Sequence, residues 1–163
     1  MGNTSDLGSI ISLWIIEKES GLPILSLKFT KDAQVDSGLF GAFMVAMRSM
    51  MDDIQIGELN SFQTNMASIL LTGSEHLISI IALEKESNVD SWYPILLKIQ
   101  KMSEKSYLDY RKISSILETN VFEQLASQFK EMILAHTERI KESEAKTTPI
   151  TNGKRIREAL KRL

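Results

Sequence analysis

Ile10-Ile11-Ser12-Leu13-Trp14-Ile15-Ile16 is an almost unbroken apolar run, rich in β-branched and aromatic side chains. Glu17-Lys18-Glu19-Ser20-Gly21 closes it with a turn-forming cluster. A strand wet on one face alternates apolar and polar residues. This run does not alternate, which predicts a strand covered on both faces in the middle of a sheet. One later segment has the same texture, Leu77-Ile78-Ser79-Ile80-Ile81-Ala82-Leu83. The two are expected to be the central strands, and neighbours. A chain of 163 residues, 43% of them hydrophobic, can enclose such a sheet in a single domain.

Turns, caps and periodicity place the remaining elements. Strand two, Ile24–Phe29, follows Pro23 and holds Lys28, which suits an outer strand. After the polar stretch Thr30–Val35, Asp36 or Ser37 caps a helix that runs to Asp53. Its apolar positions include Leu39, Phe40, Phe43, Met44, Met47, Met50, Met51 and Ile54, and they spread over roughly 200° of the circumference. The polar stripe left over is narrow: Gly41, Arg48 and Asp52, with Ser49 beside it. Gly57–Thr64 is the most polar strand candidate and is expected at an edge. Met66–Leu71 and Leu77–Leu83 follow, joined by a hairpin turn at Thr72-Gly73-Ser74-Glu75 in which Gly73 or a neighbour takes positive φ.

Asp90 or Ser91 caps a second helix, with Pro94 in its first turn. Its stripe is Trp92, Ile95, Leu96, Ile99 and Met102, continued by Tyr107, Tyr110, Ile113 and Leu117 after a bend near Ser103–Ser106. Thr119 or Asn120 caps a third helix reaching Glu142, with Phe122, Leu125, Phe129, Met132, Ile133, His136 and Ile140 on one face. The organisation is then an N-terminal extension over 1–9, a folded domain over 10–142, and a flexible linker with a basic tail over 143–163. The tail segment 154–163 holds five basic residues and one acidic, a net of +4 within a chain whose total is −2.

The order β-β-α-β-β-β-α-α resembles the longin domain. That α/β module occurs at the start of some SNAREs, in adaptin small chains, in the signal-recognition-particle receptor and in TRAPP-like exchange-factor platforms. The roadblock domain is related and differs mainly in its flanking helices. Three features carry the resemblance, which covers Ile10 to Glu142: the hairpin Ile10–Phe29 leading into the helix Asp36–Asp53, the Gly57-Glu58-Leu59 strand after it, and the meander ending in Leu77–Leu83 before two helices. The texture is similar to stand-alone archaeal longin-like proteins. The resemblance implies a five-stranded antiparallel sheet in the order 2-1-5-4-3, with one helix on one face and two on the other. That order puts at the centre the same two runs that lack alternation. It implies no catalytic signature and transfers no site residues.

Enzymatic chemistry has little to draw on. The chain has no cysteine, which removes disulfides, thiolate metal sites and cysteine nucleophiles. There is no phosphate-binding Gly-x-x-x-x-Gly-Lys-Ser/Thr loop, since Gly153-Lys154 is followed by Arg155, and no Gly-x-Ser-x-Gly elbow. His76 reads as a turn residue and His136 as a satisfied, partly buried member of a helix stripe; neither has metal-ligand spacing. Asp52 and Asp53 are adjacent in a helix, point about 100° apart and do not share a proton. No catalytic residue, cofactor or metal is expected.

What the pattern favours is association. An apolar arc near 200° exceeds what one sheet face needs, and methionine adapts readily to partner surfaces. The polar third strand would offer free backbone groups at the sheet edge. Phe43, Met47, Met50, Met51, Leu59 and Phe62 are therefore the candidate partner-binding residues. The expected partner is a second copy or another longin/roadblock-like domain, and the resemblance adds a small GTPase. The alternative is a peripheral membrane adaptor, in which Lys154, Arg155, Arg157, Lys161 and Arg162 meet an anionic lipid surface or an acidic partner. No aromatic residue stands near these cations to stack bases, so nucleic acid is not expected. Met1–Asp6 has no basic flank of a signal peptide and no apolar run spans a bilayer, so a cytoplasmic protein is expected.

Overall fold

The structure is a computed structural model and describes residues 10–30, 37–113, 122–147 and 160–161. Its elements run β1 (Ile10–Glu17), β2 (Pro23–Lys28), α1 (Ser37–Asp53), β3 (Ser61–Gln63), β4 (Ala67–Gly73), β5 (Leu77–Glu84), α2 (Val89–Ile113) and α3 (Glu123–Thr147). The five strands form one sheet in the order β2-β1-β5-β4-β3, and every neighbouring pair is antiparallel. Strands β1 and β5 are central and adjacent, as their unbroken apolar runs require.

Alternation along the strands divides the core. Leu13 and Ile15 of β1, with Leu77, Ile81 and Leu83 of β5, join Trp92, Leu96, Ile99 and Tyr107 of α2 and Leu125, Phe129 and Ile133 of α3. Trp14 and Ile16, with Ile78, Ile80, Ile69 and Leu71, form the other cluster, closed by Met44 of α1. One helix therefore lies on one face and two on the other. The face under α2 and α3 is covered by a row of fully buried large side chains. The face under α1 receives one, Met44, with Phe40 packed on Trp14 at 4.6 Å between ring centroids.

Several boundaries differ from expectation, each for a local reason. Gly57–Thr64 yields only the three-residue strand Ser61–Gln63. The residues before it are used to stop α1: Gln55 N–H donates to Asp52 O at 3.1 Å and Ile56 N–H to Met51 O at 3.4 Å. This is a Schellman cap, with Gln55 in the left-handed region at φ 56°. Gly57 follows at φ 103°, so it belongs to the exit from the helix rather than to the strand. A left-handed non-glycine residue is strained, and Gln55→Gly is expected to raise stability by about 0.5–1 kcal/mol, read as a higher urea midpoint with an unchanged slope.

Strand β4 extends to Gly73, which is not at positive φ; the turn falls on residues 74–76. Helix α2 begins at Val89, ahead of the expected Asp90 or Ser91 cap, and Ser91 N–H and Oγ–H both donate to Asn88 O. Pro94 is consequently the sixth residue of α2 and lies in its second turn, on the exposed side. Its missing N–H frees the carbonyl of Asp90, itself an exposed residue, so the helix persists. No bend interrupts α2 at Ser103–Ser106: Ser103 and Tyr107 stay on the buried side of one continuous helix. Helix α3 runs past Glu142 to Thr147. Asp36, Leu117, Thr119 and Asn120 lie outside the described residues.

Candidate functional site

Helix α1 sets part of its polar stripe against the sheet. Gly41 and Arg48 face inward beside Phe40, Met44 and Val45, while much of the apolar arc faces outward. Gly41 is buried: a Cβ placed there would stand 2.4 Å from the carbonyl oxygen of Gly21. Gly21 has φ +72°, and a Cβ there would stand 3.2 Å from Ala42 Cα. The helix backbone thus rests directly on the β1–β2 turn, an approach that two glycines permit. Met50 follows Gly41 by nine residues and so points about 180° away at 100° per residue. Accordingly, Leu39 is 73% exposed, Phe43 53%, Met50 51% and Ile54 54%. Phe43, Met47, Met50 and Ile54 repeat at intervals of four, three and four, the seam spacing of helices that pack on one another.

Of the six residues expected at a partner surface, Phe43 and Met50 are fully on this outer face, and Met47 and Met51 are half-buried beside it. Leu59 and Phe62 are half-buried against the sheet cluster under α1 and so contribute to the fold as well. Strand β3 does lie at the sheet edge, paired only to β4 among the described strands. Leu39, Ile54, Ile56 and Met66, 77% exposed, were not among the six. The signal for Leu39 and Ile54 was in the sequence: they lie one turn before Phe43 and one turn after Met50. In the tail, Lys161 is exposed, while Lys154, Arg155, Arg157 and Arg162 lie outside the described residues. Among the described residues, no helix is long and apolar enough to cross a membrane.

Arg48 occupies the inward stripe. It makes no hydrogen bond or ion pair with any described residue, and its Nη1 is buried without an acceptor. A buried donor left unmade costs about 1–3 kcal/mol. Gly73 makes room for this guanidinium: a Cβ on Gly73 would stand 2.8 Å from Nη1 and 2.9 Å from Nη2. The glycine expected to serve a turn serves Arg48 instead.

A second polar cluster ties the β4–β5 turn to α2. Glu104 Oε1 meets His76 Nδ1 at 2.6 Å and accepts from His76 N–H at 3.2 Å, and its Oε2 accepts from Ser74 Oγ–H. Gln100 Nε2 donates to Ser74 Oγ at 2.6 Å and to Leu77 O at 2.9 Å. His76 is therefore more than a turn residue. Ser, His and Glu meet here, yet not in the order of a nucleophilic triad: Ser74 donates to the carboxylate, and no hydrogen bond joins it to the imidazole. The arrangement is a clasp. Glu104→Ala would leave Ser74 Oγ and two donors of His76 without their acceptor, and is expected to cost about 2 kcal/mol in chemical denaturation, with Glu104→Gln losing less.

His136 sits edge-on to Trp92, at 4.6 Å between centroids. Its Nε2 and the indole Nε1 are both buried without a hydrogen-bond partner among the described residues, so the histidine expected to be satisfied on this stripe is not satisfied at Nε2. Burial, with Arg139 as a lesser cause, lowers its pKa, which suits a neutral packing residue.

Sheet order and helix placement together decide the fold class. It is longin/roadblock-like. No protein-family model matches the sequence, and no curated protein matches it. Among structures, Myxococcus xanthus MglB is 13% identical over 59% of this chain and 85% of its own, with a TM-score of 0.45. A Roadblock/LC7 domain from Streptomyces avermitilis is 12% identical over 64% of this chain and 87% of its own, with a TM-score of 0.44. A chain in a homology model of the full-length AP-3 complex is 13% identical over 87% and 99%, with a TM-score of 0.43.

Proposed function

We propose that this longin/roadblock-like chain is a non-enzymatic interaction module. It pairs with a second copy of itself, or with a related domain, through the outer face of α1 and the free edge of β3. The pair then serves as a platform for a small GTPase. The observation that carries the pairing is the orientation of α1. A helix needing only to cover its own sheet would bury more of its apolar arc and leave Gly41 and Arg48 in water. This one buries Gly41, holds Arg48 half-buried, and leaves Leu39, Phe43, Met50 and Ile54 exposed in one stripe. The edge of β3 adds backbone groups able to extend the sheet into a partner.

Support for the GTPase part comes from the longin-like order of elements, which is shared with subunits of exchange-factor platforms. The mechanism is shape and apolar burial, with coupling to nucleotide only where the GTPase presents different surfaces in its different states. The test is binding of the purified chain to small GTPases from the same source in GDP-loaded, GTP-loaded and nucleotide-free forms. Preference for one state, with altered nucleotide release or hydrolysis, is the expected result. Failure to bind any of them would remove the GTPase from the reading and leave the pairing to be judged on its own.

A further inference from the structure

On its inward side α1 borders a partly open cavity of about 170 Å³, lined by the exposed Lys18, Ser49 and Asp52 and by Val45, Arg48 and Ile78. We propose that this cavity binds a carboxylate carried on a short apolar stem, with the Arg48 guanidinium as its main contact and Lys18 and Ser49 as further donors. The seat for Arg48 is built: the Gly73 backbone leaves the space its guanidinium fills, and a Cβ there would stand within 2.8–3.0 Å of Nη1, Nη2 and Cζ. Among the described residues no carboxylate pairs with the guanidinium held in that seat, although Asp52 lines the same cavity. Lys18 arrives from a different element, the turn after β1, so two cations from separate parts of the fold converge on one small space.

The chemistry of the lining selects the ligand. Two cations against one carboxylate leave a single positive charge, which suits a monoanion and disfavours the nearly double charge of phosphate beside Asp52. The planar guanidinium fork matches a carboxylate. Val45 and Ile78 offer an apolar wall for the stem. Ordinary small-molecule pockets run to about 300–1,000 Å³, so this one takes a fragment: a short free acid, or the tip of an acidic side chain from another protein. The site lies on the opposite side of α1 from Met50, so it stands whether or not the outer face pairs.

The experiment is a titration followed by proton–nitrogen NMR at constant ionic strength. The probes are sodium butyrate, N-acetylglutamate amide and inorganic phosphate. The expected result is saturable movement of the Arg48 side-chain and Ser49 amide signals with a Kd of about 1–10 mM for a carboxylate probe. Arg48→Gln, Lys18→Gln and Gly73→Ala should each weaken it by about tenfold or more. Lys18 is on an exposed turn, so its variant keeps the fold whatever happens to Arg48→Gln. Tighter butyrate would mark a free acid as the source; tighter glutamate amide would mark a protein side chain. No saturable movement with either, unchanged affinity in Lys18→Gln, or phosphate binding as tightly as butyrate would each overturn the proposal.

Discussion

Gly41→Val is expected to destabilise the domain by about 3 kcal/mol or more, well beyond the usual effect of changing one helix residue. Replacing a glycine in a helix interior normally helps, by up to about 1 kcal/mol for alanine, because the unfolded chain loses freedom. Here the sign reverses. The new Cβ would stand 2.4 Å from Gly21 O and 3.5 Å from the Cδ1 of Ile16, and the nearer obstacle is backbone. Gly21 cannot retreat easily, since its own N–H donates to Glu17 O at 2.8 Å within the β1–β2 turn. The helix must lift instead. That uncovers Met44 and parts Phe40 from Trp14, the contacts that close this side of the core. Gly41→Ala should show the same sign with a smaller magnitude, about 2 kcal/mol. Urea unfolding with the Trp14 and Trp92 fluorescence as readout would check both, and stabilisation by Gly41→Ala would refute this placement of α1.

Phe43→Asp combined with Met50→Asp is expected to abolish self-association while leaving the fold intact. Both side chains are more than half exposed, so the isolated domain loses little by the change. In a paired helix seam each would place a charge in an apolar contact, and the dissociation constant should rise by about 100-fold or more, near 3 kcal/mol. The two effects separate cleanly. A variant unchanged in its urea midpoint but shifted to monomer places the seam at the interface. A variant that unfolds would place Phe43 and Met50 in the core, contrary to the exposure they have here.

How much of this was legible in the chain depended on which physical signal each element used. The two central strands announced themselves through unbroken apolar runs, because burial on both faces leaves no alternation. Their adjacency then followed, and so did the division of the sheet into two apolar faces. The orientation of α1 was not legible. An arc of roughly 200° says that the helix is apolar on too many sides, but not which side meets the sheet. Gly41 settles it, and its role depends on Gly21, a residue 20 positions away whose proximity is a tertiary fact. The same holds for Gly73, which has the look of a turn glycine and is instead the floor under Arg48. Strand β3 loses Gly57 to the termination of α1, and a cap built on a left-handed glutamine leaves no glycine signature at its key position. His76 showed no ligand spacing because its partner Glu104 lies 28 residues on, across the sheet-to-helix step.

Pairing through the outer face of α1 can be measured by sedimentation equilibrium of the purified chain over a concentration series, beside the Phe43→Asp, Met50→Asp double variant. The expected result is a reversible species of twice the 18.4 kDa chain mass that gains population with concentration and is lost in the variant. A single 18.4 kDa species for both proteins up to about 100 μM, a range in which specific apolar pairing is populated, would contradict it.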